Sequence, residues 1–563
     1  MSDKPSGGPR SPKPAGPARR GTRAEPGKGG PLPPDPADGP GVRTAEVIAA
    51  LSLATDLGTR LPLEHGLEST VVAMRLCDRL GVDGDTAFGT YYAALLFYVG
   101  CTAEADVTSG LFPHADALAT HFTPVMFGSR PELVRGLLRA LAAGTGPWPA
   151  RAATALVRLP TTVRAQIHHQ TAICEVGRML TRRLGLPVEV QELFVGFTER
   201  WDGKGGPGGA AGEEIPLPVR IAHVARDACV HRMVGGHELA VRTVERRAGG
   251  AFDPAVADCF VRNARQLLER AEGTSSWNEA LSLEPEPNRV LQGEALDEAL
   301  RAMGDFADLV SPWLVGHSSE VARLAAAAGT AAGLGEVEVR QLRRAGLVHD
   351  LGRVWVPARV WGKPGALSAG DREGIRLHAY HTERVLAPSD ALAPLGRLAG
   401  QHHERVDGSG YHRGVTAAAL SRSARLLAAA DVFQAMTEPR PHRRARSRSR
   451  AAAALGREAG AGRLDPDAAS AVIDAAGEPV PRIRRPADLS EREATVVGLL
   501  ARGLQTKQVA RRLGISAKTA DRHIQNAYRK IGVSTRAAAA LFAMEHGLAR
   551  WGELPMAEGD PPT

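Results

Sequence analysis

Seven side chains between His317 and Asp431 are of types that bind a divalent cation: His317, His349, Asp350, His378, His402, His403 and Asp431. Imidazole nitrogens and carboxylate oxygens can converge on one ion when the helices that carry them meet. The adjacent His349-Asp350 pair is the most informative piece. Neighbouring residues at a helix end can aim an imidazole and a carboxylate into one pocket, and a carboxylate can bridge two ions. Two ions held roughly 3.5–4 Å apart activate water and neutralise a phosphate. Taken singly, these residues have plainer readings. A His-Asp pair is commonly a surface or capping pair, and His402-His403 could be a cation pair at a helix end. His381 and His412 read as ordinary polar residues.

A second chemistry sits near the C-terminus. Ser490 and Glu493 have the spacing of a capping box that opens a helix. Thr506 opens the next helix, with Val509, Ala510 and Leu513 inward, and Gly514-Ile515-Ser516 makes a turn. Ser516 caps a third helix that ends before Gly532. On it Ala520, Ile524 and Ala527 form one stripe, while Lys518, Arg522, Gln525 and Arg529 form another. A basic, amide-bearing stripe suits the major groove, where Arg reads guanine and Gln reads adenine. The plainer alternative is a small packing module with a solvated basic face.

The elements that position these residues are expected to be helices. The 563-residue chain exceeds the roughly 250–300 residues at which one core stops growing, so several domains are expected. It is rich in Ala and has only 4% aromatics, which favours an all-α fold. The net charge of +8 fits a nucleic-acid partner, although a basic tail alone could supply it. Five cysteines without C-x-x-C spacing point to a reducing, cytoplasmic setting with buried, inert thiols. No signal peptide or long apolar run is visible, so no membrane is expected. The expected organisation is a disordered Pro/Gly-rich tail (1–41), a first helical body (42–283), a second (290–475), a linker (476–487), a C-terminal domain (488–550) and a short tail (551–563). Six arginines from Arg440 to Arg450 read as a solvated loop and helix start, or as a source of phosphate attraction.

The two large bodies look like copies of each other. His65 and Glu68 match His317 and Glu320 at an offset of 317 − 65 = 252, and the segment 94–100 matches 346–352 at the same offset. Glu199–Gly205 matches Glu404–Gly410 at 404 − 199 = 205. In the first copy the ligand positions hold His65, Phe97, Tyr98, Phe197, Thr198 and Arg226, so only one ligand survives. His168, His169 and Cys174 lie near the expected mid-chain histidine. This copy is expected to be catalytically dead and to serve in packing. An alternative is that its loop 202–209 cradles phosphate through backbone N–H groups.

The ordered motif His349-Asp350-Leu351-Gly352-Arg353, His378, His402-His403-Glu404-Arg405-Val406-Asp407-Gly408-Ser409-Gly410-Tyr411 and Ala430-Asp431-Val432-Phe433 resembles the HD-GYP family over roughly residues 300–450. That resemblance implies two tandem HD-type helical domains, the first degenerate. It implies a metal-dependent phosphohydrolase acting on a cyclic dinucleotide, with two divalent ions (Fe, Mn or similar) held by the seven residues above. Asp350 would bridge the ions, Arg353 would stabilise developing charge, and Asp407, Gly408, Gly410 and Tyr411 would line the substrate side. The sequence departs from the family at Arg353, where a lysine is usual, and at Trp313, His412 and Gln434. Together these departures argue for two ions rather than three.

Leu489 to Leu548 is similar to the LuxR-type helix-turn-helix, which implies a four-helix domain that reads DNA as a dimer. Asp521, Arg522 and Gln525 fall at base-facing positions, with Thr506, Lys507, Ser516, Lys518, Thr519 and His523 as further DNA contacts. Together the two resemblances imply a homodimeric transcription regulator with a phosphodiesterase module. The alternative is a module that senses a nucleotide, or only dimerises, without cleaving anything.

Overall fold

A computed structural model describes residues 41–102, 105, 112, 116–206, 208–269, 273, 275–480, 486–546 and 548. Nearly all of both expected tails lies outside these residues, as do the side chains of His168 and His169. The fold is all-α. The two short strands β1 (Val42–Arg43) and β2 (Val290–Leu291) pair antiparallel, with Val42 opposite Leu291.

The first body is built on α1 (Thr44–Thr59), α2 (His65–Leu80), α3 (Gly84–Leu95), the long α4 (Trp148–Arg183) and α5 (Leu217–Arg247). The second uses α6 (Gly293–Asp308), α7 (His317–Ala331), α8 (Glu336–Val348), α9 (His378–Leu386), α10 (Ala393–Ala399), α11 (Arg422–Thr437), α12 (Arg448–Gly460) and α13 (Pro466–Ala475). One continuous apolar core runs through both bodies, from Val42 to Ile473. Helix α1 belongs to the first body by sequence, yet it packs on α9 and on the 3-10 turn Leu351–Trp355 of the second. Arg183 of α4 reaches Glu298 (2.7 Å) and Asp305 (2.6 Å) on α6.

The repeat is visible in local geometry. Helices α2 and α7 both start after a left-handed residue, Glu64 (φ 76°) and Gly316 (φ 81°), which turns His65 and His317 inward. Asp56 and Asp308, at the 252-residue offset, each accept the backbone N–H of the residue after that histidine, from Gly66 at 3.3 Å and Ser318 at 2.9 Å. A Cβ on Gly100 would lie 2.2 Å from the Ile173 carbonyl oxygen, and one on Gly352 would lie 2.1 Å from that of His378. Ile173 therefore occupies the mid-chain histidine position, directly beside Cys174, which was expected to lie near it.

Where the second body gathers ligands, the first gathers aromatic rings. Phe97 stacks on Phe197 at 5.3 Å. The Arg226 guanidinium lies 5.3–5.9 Å from the rings of Phe97, Tyr98 and Phe127, and pairs with Asp227 at 3.0 Å. Cation–π contact and a fixed guanidinium thus fill the space of an ion site. The phosphate-cradle alternative for loop 202–209 fails, because the Gly208 and Gly209 N–H groups donate to Glu199 Oε1 at 2.6 and 3.0 Å.

The C-terminal domain consists of α14 (Glu491–Ala501), α15 (Thr506–Leu513), α16 (Ala517–Ile531) and α17 (Arg536–Glu545). Its capping box at Ser490 and Glu493 is formed as the spacing predicts. No helix among the described residues is long and apolar enough to cross a membrane. The cysteines are free thiols, but Cys101 and Cys174 are partly exposed rather than buried.

Candidate metal centre and nucleic-acid interface

Five segments deliver the ligand set. His317 opens α7, and His349 and Asp350 lie in the junction between α8 and the turn 351–355. His378 opens α9, Asp431 lies within α11, and His402 and His403 sit in the turn after α10. The expectation that every ligand lies in helix is corrected for His402 and His403. A turn lets both imidazoles of consecutive residues point one way, which a helix, at about 100° per residue, does not.

The seven side chains form two groups whose ligand atoms lie within 4.8 Å of one another: His317, His349, Asp350 and Asp431 in one, His378, His402 and His403 in the other. Asp350 joins them. Its Oδ2 faces His349 Nε2 (2.8 Å) and His317 Nε2 (3.4 Å), while its Oδ1 faces His378 Nε2 (3.2 Å) and His402 Nε2 (3.4 Å). Asp431 spans the groups in the same way, with Oδ1 3.2 Å from His317 Nε2 and Oδ2 3.5 Å from His403 Nδ1.

Which ring nitrogen faces the centre is set from behind. His349 Nδ1 donates to the Gly346 carbonyl (2.8 Å), His402 Nδ1 to that of Ala399 (2.7 Å), and His378 Nδ1 to that of Ile375. A carbonyl only accepts, so these contacts put the proton on Nδ1 and leave the Nε2 lone pair facing inward. His378 Nε2 and His402 Nε2 then confront each other at 3.1 Å as two acceptors. Asp350 Oδ1 and His349 Nε2 are buried without a hydrogen-bond partner. Converging lone pairs and an orphaned carboxylate oxygen in a dry pocket are what cations satisfy, so the residues fit divalent ions at two adjoining ligand groups. Burial opposes ionisation of Asp350, yet the Arg353 guanidinium beside it holds its carboxyl well below the usual carboxylate range.

Arg353 is buried, with Nη2 2.6 Å from Asp350 Oδ2 and 3.3 Å from His317 Nε2. Of the loop residues expected to meet substrate, only Tyr411 reaches the centre, its ring 4.7 Å from that of His403. Asp407 is exposed and ties the loop by accepting the Ser409 N–H at 3.0 Å. Gly408 supplies a turn at φ 79°, and Gly410 has no room for a side chain. These three shape the loop and stand off from the ions' space.

Sequence reasoning missed Glu438. Both its carboxylate oxygens lie 3.0 Å from His317 Nδ1, so His317 alone of the four Nδ1-anchored imidazoles leans on a charge. Gln434 (2.9 Å) and Arg440 (2.7 Å) aim that carboxylate. Asp308 was also missed; burial pushes its carboxyl up to about 6. Of the arginine run, Arg444, Arg446, Arg448 and Arg450 are exposed, whereas Arg440 and Arg443 are half-buried and donate to the Trp313 and Glu438 carbonyls at 2.6 and 3.1 Å.

In the C-terminal domain Ser516 caps α16 by accepting the Thr519 N–H at 3.1 Å. Ala520, Ile524 and Ala527 are buried, and Lys518, Asp521, Arg522, Gln525 and Arg529 are exposed on the far side. Lys507 and Ser516 are exposed, and Thr506, Thr519 and His523 are half-buried. Lys530 does not join this face, because it bonds Glu493 (2.6 Å) and the Asp488 carbonyl (2.9 Å).

Comparison with known proteins agrees with this geometry. Residues 301–468 match the HD domain family, and residues 487–543 match the bacterial regulatory proteins of the luxR family. The 3'3'-cGAMP-specific phosphodiesterase 3 of Vibrio cholerae is 28% identical over 406 residues, covering 71% of this chain and 88% of that protein. The cyclic di-GMP phosphodiesterase response regulator RpfG of Xanthomonas campestris pv. campestris is 33% identical over 190 residues, covering 32% of this chain and 49% of that one. A crystal structure of a cyclic GMP-AMP specific phosphodiesterase of V. cholerae shares the fold, with a TM-score of 0.54 and 24% identity, covering 78% of this chain and 98% of that one. The chain thus joins an HD domain at residues 301–468 to a DNA-binding domain of the luxR family of bacterial regulatory proteins at residues 487–543.

Proposed function

We propose that this protein is a cytoplasmic, homodimeric transcription regulator whose HD domain hydrolyses a cyclic dinucleotide. The observation that carries the reading is the Asp350 carboxylate, with one oxygen toward each of two ligand groups. His317, His349 and Asp431 would hold one ion and His378, His402 and His403 the other, with Asp350 shared. Two divalent ions, iron, manganese or similar, supply when bound a water acidic enough to be a nucleophile near neutral pH and charge to neutralise a phosphodiester. The chain's own residues do the rest. Arg353 sets a fixed cation beside Asp350, where it would stabilise negative charge developing on the phosphoryl oxygens. Tyr411 offers a ring face to a base, and its loop is held by Asp407, Gly408 and Gly410. The substrate class rests on the relatives, which are named for cleaving 3'3'-cGAMP or cyclic di-GMP. In this reading residues 42–283 are a degenerate copy that buttresses the second body (290–475). Asp521, Arg522 and Gln525 read bases, Lys507, Lys518 and Thr519 hold phosphates, and Thr506, Ser516 and His523 make further DNA contacts.

A second reading, sensing without cleavage, is favoured by one observation: the Arg353 guanidinium is engaged with Asp350 itself. Incubating the purified chain and Mn or Fe with cyclic di-GMP and with 3'3'-cGAMP separates the two. Product formation that vanishes in His349→Ala, with DNA binding retained, supports hydrolysis. Saturable binding without product supports sensing and refutes hydrolysis.

A further inference from the structure

Helix α9 carries His378 at its first residue and Thr382 one turn later. Residues four apart share a helix face, and both meet the junction that holds His349 and Asp350. Thr382 is fully buried. Its hydroxyl donates to the His349 carbonyl at 3.0 Å and accepts the Gly352 N–H at 2.9 Å. A hydroxyl has one proton to give and lone pairs to receive another, so a single oxygen serves both bonds.

Those two backbone groups stand three residues apart and flank Asp350-Leu351. In a tight turn such a pair can bond directly. Here the Thr382 oxygen stands between them, where Asp350 leaves helical geometry (φ −107°, ψ 13°). This is also where α8 ends, and the carbonyls of a last turn have no partner within their own helix. Glycine makes the approach possible, because a Cβ on Gly352 would lie 2.6 Å from the Thr382 nitrogen. The hydroxyl therefore ties the helix of His378, in one ligand group, to the backbone of His349, in the other. Removing it would leave two buried backbone groups unpaired, which costs more than a made bond gains.

We propose that Thr382 is a positioning residue for the ion centre: its hydroxyl holds the His349-Asp350 segment against His378, so that Asp350 keeps one oxygen toward each ligand group. This rests on the two-ion reading above and adds that the spacing of the two groups is set by a hydroxyl belonging to neither. It differs from Glu438, which supports a single imidazole.

Titration of the metal-stripped full-length chain with Mn²⁺ against a competing chelator tests this. The wild-type chain is expected to hold two ions. Thr382→Val, which keeps the shape and loses both bonds, is expected to weaken both ions by about tenfold or more. Thr382→Ser, which returns the oxygen, is expected to restore them. Thr382→Ala loses the same bonds and gives the same comparison with Thr382→Ser should the valine variant fail to fold. Thr181→Val removes a buried hydroxyl from the first body, where it donates to the Gly177 carbonyl at 2.6 Å, and is expected to leave Mn²⁺ affinity unchanged. A wild-type chain that takes up no Mn²⁺ overturns the two-ion reading and this role with it. Two ions held by Thr382→Val as tightly as by the wild type overturn the role of Thr382 alone. So does weakening of only one ion, or a loss in Thr382→Ser as large as in Thr382→Val, which would assign the effect to packing. An equal loss in Thr181→Val overturns it as well, by marking general destabilisation.

Discussion

Replacing Glu438 by Gln isolates the one imidazole that a carboxylate supports. Both Glu438 oxygens lie 3.0 Å from His317 Nδ1, while the corresponding nitrogens of His349, His378 and His402 rest on neutral carbonyls. Gln keeps the shape and an acceptor but removes a full negative charge from behind the ligand. It also leaves the Arg440 guanidinium, 2.7 Å from Glu438, without its counter-charge beside the centre. Loss of such an outer carboxylate weakens metal binding by about 10- to 100-fold, or about 1.4–2.7 kcal/mol. The loss should fall on the ion held by His317, His349 and Asp431. The ion of His378, His402 and His403 has no contact with Glu438 and should be retained. Elemental analysis after dialysis against graded chelator measures this, with two ions per chain declining in two steps in the variant and the first step moved to lower chelator. If both ions weaken equally, or neither does, the separate support of the two ligand groups is wrong.

Asp350→Asn replaces an oxygen that faces one ligand group by an N–H donor, so both ions should be lost while the circular dichroism spectrum is unchanged. Gly410→Ala puts a Cβ 2.4 Å from the Arg405 nitrogen and 2.5 Å from the Glu404 Cα, backbone atoms that cannot yield. It should cost about 1–3 kcal/mol in thermal unfolding, whereas Gly365→Ala, which meets open space, should cost less than about 0.5. Burial lowers the pKa of His65 to about 3 and that of His223 to about 4, and both stay neutral in the folded chain. Their contribution is complete above pH 6.5 and declines as pH falls toward those values, by up to about 1.4 kcal/mol per histidine per pH unit. Urea titrations of the His223→Gln variant should show a shallower acid dependence than the parent. Arg522→Ala should weaken specific DNA binding by about 1–3 kcal/mol in a gel-shift titration without changing the melting of the domain. Lys530→Ala, which breaks the tie to Glu493, should lower that melting temperature.

The ligand set was legible because its residues come in order and because Asp350 follows His349 directly. The helix-turn-helix was legible because its caps and its stripes at helical spacing are local signals. Glu438 was not, since it lies one residue beyond the end of α11 and its aim is fixed by Arg440 in the next turn. Asp308 could have been found: it repeats Asp56 at the same offset that relates His317 to His65. The replacement of the mid-chain histidine by Ile173 has no such signal, because the two bodies differ in length just before it. The packing of α1 on the second body was equally hidden, since alternation along a helix says which face is buried and not against what.

The apolar interior that runs without a break from Val42 to Ile473 means that the two halves have no seam along which to separate. A protease that nicked the connecting stretch 284–289 would yield fragments that remain locked together in buffer. Heat would melt them in a single transition, and a damaged first half would take the half with the histidine cluster down with it. Its aromatic-filled pocket is part of the footing on which the other rests.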